Sequence, residues 1–238
     1  RGYEIKLLEL DESYNPRKEN KILIPGKKGT FQYKNLQLLN NENLVLYYKS
    51  TTSSFTNEYI NHVVLYSKDA KVIKDNSMEE TNNYHTDLQV EVQDNEIKVF
   101  GFYSAKMVRT YINGVDGYLI NGETGEKQQL FHTKFDSDIL KNIMSEKKAE
   151  KKEDIGITPE YQIRRVYQID KDNFVLVAEE ENLEINGLNL SAAIFKDMMI
   201  AKGYTNEMLG STRYYNLYYE NIILISFTKE GKVNWSNS

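Results

Sequence analysis

The sequence predicts an all-β protein in which a four-stranded antiparallel unit is repeated. Three observations favour this fold class. The composition is rich in strand-forming residues, with 18 Tyr and 9 Phe among 238 residues. Residues 219–236 have the pattern of a hairpin, because a β-branched apolar run is followed by a Thr-Lys-Glu-Gly turn and a second, alternating strand. The same pattern returns at regular intervals along the chain.

The first predicted elements are an incomplete unit and two complete ones. Residues 3–10 and 21–24 form a hairpin that matches half of a unit, with bounds at 1–25. Two complete units follow at 31–75 and 84–131, each with four short strands separated by turn residues. Their strands are predicted at 36–39, 44–48, 62–66 and 71–73, and then at 88–92, 97–103, 117–120 and 126–130.

Equivalent positions in the two complete units are separated by a constant interval. Val45 and Val99 lie 54 residues apart, and Val64 and Leu119 lie 55 residues apart. This interval fits a four-stranded repeat of about 40 to 50 residues with long loops. A third complete unit is predicted at 161–238, with an insertion between its second and third strands. Its strands are predicted at 165–169, 174–178, 222–227 and 232–235.

The first of two predicted helical insertions lies at 132–160, between the second and third complete units. Residues 137–148 place Ile139, Leu140, Ile143 and Met144 on one stripe of a helix. Asp136 or Ser137 is the predicted N-cap. Lysines and acidic residues alternate after this stripe, which favours a solvated helix end over a contact with acidic lipid headgroups.

The second predicted insertion spans 182–213, with a helix at 191–202 that begins at the N-cap Ser191 and ends before Gly203. Its apolar residues cover more than one narrow stripe, which suits either packing against the sheets or docking to another chain. A tyrosine cluster follows it, and tyrosine suits both strand packing and ligand contact. The candidate partner-binding residues are Ile194, Phe195, Met198, Met199, Tyr214, Tyr215 and Tyr218.

Composition excludes several classes of function. The net charge is −5 and no long stretch is basic, so nucleic-acid binding has no electrostatic basis. The chain has no cysteine, which excludes disulfides and thiol nucleophiles. No run of about 18 apolar residues predicts a transmembrane segment. Because the chain opens on Arg1 with strand-like residues, we expect a fragment or a processed product, with any targeting signal or lipid anchor outside it.

The titratable residues show no motif of a metal or cofactor site. His62, His85 and His132 are far apart and lack ligand spacing, so we expect solvated or locally hydrogen-bonded side chains. Residues 170–173 begin like a calcium loop but lack its glycine and distant glutamate, which favours a β-turn. No metal and no cofactor is predicted.

The sequence shows no motif of a known enzyme class either. Residues 179–181 are three glutamates that follow a predicted strand and would suit glycoside chemistry, but no opposing carboxylate can be assigned. A solvated loop entry is therefore the preferred interpretation. Gly-x-Ser-x-Gly, phosphate-loop, dinucleotide and sialidase motifs are absent from the sequence. We expect a protein that is not an enzyme.

Three segments resemble the β-propeller repeat of cell-envelope and secreted proteins of Bacteroidota. Asp-Asn-Phe-Val-Leu-Val-Ala at 172–178 is similar to its Asp-Gly-Gly-aromatic-Ile-Leu-Ala-Gly segment, and 221–235 is similar to its closing hairpin with a final tryptophan. Phe-Gly-Phe-Tyr-Ser at 100–104 resembles its Gly-aromatic-Tyr-Ser. Ala70 stands where that repeat has a turn glycine. The resemblance implies a propeller of four-stranded blades, of which this chain holds about three and a half, and no catalytic residues.

Propeller topology places both helical insertions and the longest loops on one face of the molecule, which is where we expect a partner to bind. The predicted function is a non-catalytic scaffold for protein–protein interaction in a bacterial cell-envelope assembly, in the periplasm, at the outer membrane or on the cell surface. Association with the membrane would then occur through a partner or an external anchor. The alternatives are a glycan-binding or glycan-cleaving propeller that uses the tyrosine cluster and residues 179–181, and a purely structural segment of a surface assembly.

Overall fold

The computed structural model describes residues 2–25, 30–51, 59–80, 82–107, 111–144, 156–185, 188–191 and 215–238. Together these residues form an all-β fold with one short helix, in which the strands make four antiparallel sheets. The prediction of an all-β fold is therefore confirmed. None of the helical residues described forms a helix that is long and apolar enough to cross a membrane.

The strands follow the chain from sheet to sheet. The first sheet contains β1 (Gly2–Leu10) and β2 (Pro16–Pro25). The second contains β3 (Phe31–Leu38), β4 (Leu44–Thr51), β5 (Tyr59–Tyr66) and β6 (Val72–Ser77). The third contains β7 (Tyr84–Gln93), β8 (Glu96–Ser104), β9 (Gly114–Asn121) and β10 (Lys127–Lys134). The fourth contains β11 (Tyr161–Gln168), β12 (Asn173–Ile185), β13 (Leu188–Ser191), β14 (Tyr215–Thr228) and β15 (Val233–Asn237).

Strand order within the sheets agrees with the repeat pattern. The second and third sheets run β3-β4-β5-β6 and β7-β8-β9-β10, and the fourth runs β11-β12-β14-β15 with β13 paired to β12. Each predicted strand lies within or overlaps an observed one. Ala70 in the turn at 67–71 adopts a left-handed backbone conformation that favours glycine, with φ of 60°.

Successive sheets pack face to face through three apolar clusters. On β8, Ile97 and Val99 contact the cluster shared with the second sheet, whereas Phe100 and Phe102 contact the cluster shared with the fourth. Alternate residues of a strand point to opposite faces, so this strand is buried on both sides. A third cluster, which includes Ile22 of β2, lies between the first and second sheets.

The fourth sheet departs from the prediction at the second insertion. Residues 182–185 continue β12 and residues 188–191 form β13, which pairs with β12. The first part of the predicted helical insertion is therefore strand, and Ser191 is the last residue of β13. The remainder of the predicted helix at 191–202 lies outside the described residues.

The first predicted helix is confirmed over its opening turns as α1 (Ser137–Ile143). Asp136 is its N-cap, because its carboxylate accepts a hydrogen bond from the backbone N–H of Ile139 at 2.9 Å. Ile139, Leu140 and Ile143 are buried in the cluster between the third and fourth sheets. The helix ends at Ile143, earlier than predicted, and residues 145–155 lie outside the described part of the chain.

The connections between strands divide into two groups, and each group lies at one end of the sheets. We call one end the turn end, because its strands are joined by the short turns at 11–15, 39–43, 67–71, 94–95, 122–126, 169–172 and 229–232. We call the other the loop end, because the strands that end there are separated along the sequence by longer segments, such as residues 78–83, 105–113 and 135–160.

Candidate functional site

A buried polar cluster lies near the loop end of the third sheet, and we call it the Asp116 cluster. Its members are Asn83, His85, Asp116, Tyr118 and His132. Oδ2 of Asp116 accepts hydrogen bonds from Asn83 Nδ2 at 2.7 Å, from His85 Nε2 at 3.0 Å and from Tyr118 Oη at 3.1 Å. Oδ1 accepts one from His132 Nδ1 at 2.7 Å. An ionised carboxylate only accepts hydrogen bonds. Nε2 of His85 and Nδ1 of His132 therefore each carry a hydrogen.

Strand register explains how these residues meet. Asp116 on β9 lies directly opposite His132 on β10 and directly opposite Gly101 on β8. His85 comes from β7, one strand further away, and reaches Asp116 across the bare backbone of Gly101. A Cβ at position 101 would lie 2.6 Å from His85 Cδ2 and 2.4 Å from Leu88 Cδ2, so glycine is required there.

The electrostatics of the cluster favour the ionised form of Asp116. Its side chain is fully buried, and burial acts to raise its pKa. The hydrogen bonds from His85 and Asn83 and the electrostatic attraction of the two imidazoles outweigh that effect, so the pKa is lowered. Burial and the adjacent carboxylate raise the pKa of Tyr118 and raise that of Tyr103 to about 12. Asp116 is therefore a fixed negative charge at neutral pH.

His132 is the exposed member of the cluster. Its side chain is 45% exposed, and its ring centroid lies 4.2 Å from that of Tyr103. Asp116 fixes the hydrogen on Nδ1, which leaves Nε2 of the neutral ring as an acceptor. An imidazole oriented in this way can accept a hydrogen bond or a proton from a group that approaches the loop end.

A second set of buried polar groups joins the cluster to the second sheet. Asn61 on β5 is fully buried, and its Nδ2 donates to the carbonyl of His85 at 3.1 Å. The carboxylate of Glu79 accepts from the backbone N–H of Asn61 at 3.0 Å and from that of His85 at 2.9 Å. Tyr47 Oη donates to Asn61 Oδ1 at 3.0 Å. These bonds fix the position of β7 relative to β5.

Of the two predicted states, solvated or locally hydrogen-bonded, His85 has the hydrogen-bonded one, because it is fully buried and bonds to Asp116. The prediction missed that His132 shares this partner. The signal in the sequence is Gly101, a glycine inside a predicted strand. His62 lies apart on β5 and contacts Ser50 and Asp75. In the described ranges, no group of three or more His, Asp or Glu residues is arranged to hold a metal ion.

The three glutamates at 179–181 lie within β12, so the predicted solvated loop entry is wrong. Arg164 of β11 binds two of them, with its Nε 2.9 Å from Glu179 Oε2 and its Nη2 bonded to Glu181. Glu181 is 5% exposed. In these residues of the strand, the cross-strand arginine offsets part of the negative charge. Residues 170–173 form the predicted turn, in which Asp170 accepts from the backbone N–H of Asp172 at 2.8 Å.

Most of the predicted partner-binding residues lie where no structure is described. Tyr215 and Tyr218 belong to β14, where their backbones pair with Ile185 and Asn182 of β12. The others lie outside the described residues, and these are Ile194, Phe195, Met198, Met199 and Tyr214.

Comparison with known proteins gives little further information. No family model matches the chain, and no curated protein matches it. Among solved structures, a GH43 β-1,3-galactosidase matches with a TM-score of 0.35 and 10% sequence identity. The match covers 74% of this chain and 33% of that protein, so the chain spans about a third of its length. A likeness at this level supports no argument about activity.

Proposed function

We propose that the chain is part of a β-propeller whose loop end binds a protein partner in a bacterial cell-envelope assembly. The observation that supports this proposal is the difference between the two ends of the sheets. At the turn end, the polar groups bond to one another. At the loop end, Asp116 orients a half-exposed histidine, His132.

Hydrogen bonds between turns are the main feature of the turn end. Asn43 Nδ2 of the second sheet donates to the carbonyl of Gly122 in the third at 2.9 Å, and the N–H of Gly122 donates to Asn95 O at 2.9 Å. Asn20 and Lys18 of the first sheet bond to the turn at 67–71 of the second. Groups that are already bonded within the chain offer little to a partner.

The proposed propeller arrangement is supported by the contacts of the first strand in each complete unit. Gln37 Nε2 on β3 donates to the carbonyl of Val90 on β7 at 2.7 Å. Asp87 on β7 accepts from the backbone N–H of Ile163 on β11 at 2.9 Å. Successive first strands therefore adjoin, as they do around the axis of a propeller. In this proposal, the two-stranded first sheet is half of a blade.

The proposed partner is another protein of the cell envelope, bound without a cofactor and without nucleic acid. The contacts we propose are the apolar residues of the second insertion and the tyrosines that follow it, at the loop end. A place in the periplasm, at the outer membrane or on the cell surface follows from the resemblance to envelope repeats. The role is non-catalytic in this proposal.

Site-specific photo-crosslinking in the native cells would test the proposal. A benzoylphenylalanine at Met107, which is 42% exposed at the loop end, is expected to give a discrete crosslinked product with an envelope protein. The matched control is Tyr14, which is 83% exposed at the turn end and is expected to give none. Crosslinks from Tyr14 alone, or a product of equal yield from both positions, would contradict the proposal.

The alternative of a glycan-cleaving propeller is weakened by Arg164, which binds both Glu179 and Glu181 and leaves no opposed pair of free carboxylates there. Glycan binding by Tyr215 and Tyr218 stays a prediction. Retention of the protein on a glycan array that is lost in Tyr218→Ala would favour it over a protein partner.

A further inference from the structure

We propose that Ser50 is an activated nucleophile that hydrolyses carboxylic esters, with His62 as its base and Asp75 as the residue that positions the base. This activity goes beyond the binding function proposed above, and it would replace the expectation that the chain is not an enzyme. It rests on side chains of the second sheet that the Asp116 cluster does not include.

The three side chains form a continuous hydrogen-bonded chain. Ser50 Oγ lies 2.9 Å from His62 Nε2, and His62 Nδ1 lies 3.0 Å from Asp75 Oδ1. A carboxylate accepts, so Nδ1 of the neutral ring carries the hydrogen and Nε2 accepts the hydroxyl hydrogen of Ser50. This order of groups, hydroxyl to imidazole to carboxylate, is the arrangement that activates a serine for acyl transfer.

The sheet itself produces this order. Ser50, His62 and Asp75 lie on three neighbouring strands, β4, β5 and β6. Ser50 pairs with Ile60 and Asp75 pairs with Val64, and both pairing partners are two residues from His62 on β5. Residues two apart on a strand share a face, so the three side chains lie on one diagonal of the same face.

The imidazole is held in place by more than its hydrogen bonds. Its ring stacks on Tyr48 with centroids 4.6 Å apart and an interplanar angle of 8°. Tyr48 is buried, and its ring also contacts Phe31 at 5.1 Å. A ring fixed on one face by a buried aromatic and at Nδ1 by Asp75 keeps Nε2 directed at Ser50, so the base is oriented before substrate binds.

The surroundings of Ser50 indicate the class of substrate. Its cross-strand neighbours are Phe31 on β3 and Ile60 on β5, both partly buried. Ser50 is itself partly buried, and the side chain of His62 is 17% exposed. Two apolar side chains beside a reachable hydroxyl suit an ester with an apolar acyl group.

The reaction proceeds in two balanced halves. Ser50 Oγ forms a bond to the ester carbonyl carbon as its proton moves to His62 Nε2. The tetrahedral intermediate then breaks its bond to the alcohol oxygen, and the alcohol leaves with that proton. The same imidazole then takes a proton from water, which attacks the carbonyl carbon of the acyl-serine. The imidazole returns this proton to Ser50 as the acid is released.

Labelling with a fluorophosphonate probe tests the proposal on the 238-residue chain. Ser50 Oγ is expected to displace fluoride and bond to phosphorus, and peptide mass spectrometry should place the label on residues that include Ser50. Ser50→Ala should abolish labelling, and His62→Gln should slow it by about 100-fold, as expected for loss of a general base. Asp75→Asn should slow it too, and Asp75→Glu should restore part of the rate, since a carboxylate is retained.

Ser77→Ala is the matched control, because Ser77 lies directly opposite His62 on β6. It should label at the wild-type rate. Thermal unfolding followed by circular dichroism would show that each variant remains folded. Absence of label on folded wild-type protein, or labelling that survives in Ser50→Ala at the same rate, would overturn the proposal.

Discussion

At the residue scale, Asp116 carries a negative charge that is buried away from water. A buried carboxylate destabilises a fold by several kcal/mol unless its oxygens accept hydrogen bonds. Removal of one donor from such a site leaves part of this desolvation cost uncompensated. Here the four donors come from β7, β9, β10 and the segment before β7. The Asp116 cluster thereby links three of the four strands of the third sheet.

Replacing the carboxylate by an amide should destabilise the protein strongly. In Asp116→Asn, the amide nitrogen would face donors from His132 or from His85 and Asn83, so we expect the free energy of unfolding to fall by about 3 kcal/mol. Urea denaturation at pH 7 would measure this change in the free energy of unfolding. His132→Gln, at the exposed side of the cluster, is the control and should lower it by about 1 kcal/mol. Equal losses in the two variants would contradict the role assigned to Asp116.

The pH dependence of the same variant has a definite sign. Because the folded pKa of Asp116 lies below its ordinary value of 3.8, its contribution is present above pH 3.8 and is lost as the pH falls through the folded pKa. The difference in stability between wild type and Asp116→Asn should therefore shrink below pH 3.8. Denaturation curves recorded at pH 5, 4 and 3 would show it, and a difference that grew towards pH 3 would contradict the assignment.

The residue-level contacts were the part that sequence could not predict. His85 and His132 are 47 residues apart, and their meeting at Asp116 depends on the pairing register of four strands. A shift of one residue in any pair would send a side chain to the opposite face. Gly101 marked the place, as a glycine inside a predicted strand without a turn to explain it.

At the element scale, the alternation of apolar and polar residues predicted the strands in their correct order. Strand ends were less predictable. The pattern ends β12 before the glutamates at 179–181, because three successive charges suggest solvent. The strand continues through them and Arg164 faces them from β11, and a cross-strand ion pair is invisible in the local sequence.

The cap of α1 offers a prediction at this scale. Asp136→Ala removes the acceptor for the N–H of Ile139, and we expect stability to fall by about 1 kcal/mol. The control is Lys141→Ala, an exposed residue of the last turn, for which we expect a change within about 0.5 kcal/mol. Urea denaturation measures both, and an unchanged midpoint in Asp136→Ala would show that packing against β15 alone holds the helix.

At the scale of the whole molecule, the apolar clusters join each sheet to the next in the chain. The third sheet is covered on both faces, whereas β1 pairs with β2 alone and contacts one cluster. Stability in such stacks is a sum of units and of interfaces between neighbours. The first sheet should therefore open at a lower free energy than the third.

Amide hydrogen exchange would test this order. In the 238-residue chain, peptides from β1 should exchange first and peptides from β8 and β9 last, since central strands in a doubly covered sheet require global unfolding. Peptides from β4 and β5 are the internal reference and should be slower than those from β1. Equal protection of β1 and β9 would contradict the proposed gradient along the stack.

Repeated sheets of similar pattern create a hazard during folding, because strands of one unit can pair with strands of another. Gly101, a glycine in the interior of β8, distinguishes the third sheet from the other units. A slip of one residue along β8 would place Phe100 or Phe102 opposite Asp116, and an aromatic ring there would exclude His85 and leave the carboxylate without that donor. Glycine at position 101 therefore disfavours mispairing, since a mispaired strand loses a buried hydrogen bond and only the correct pairing retains it.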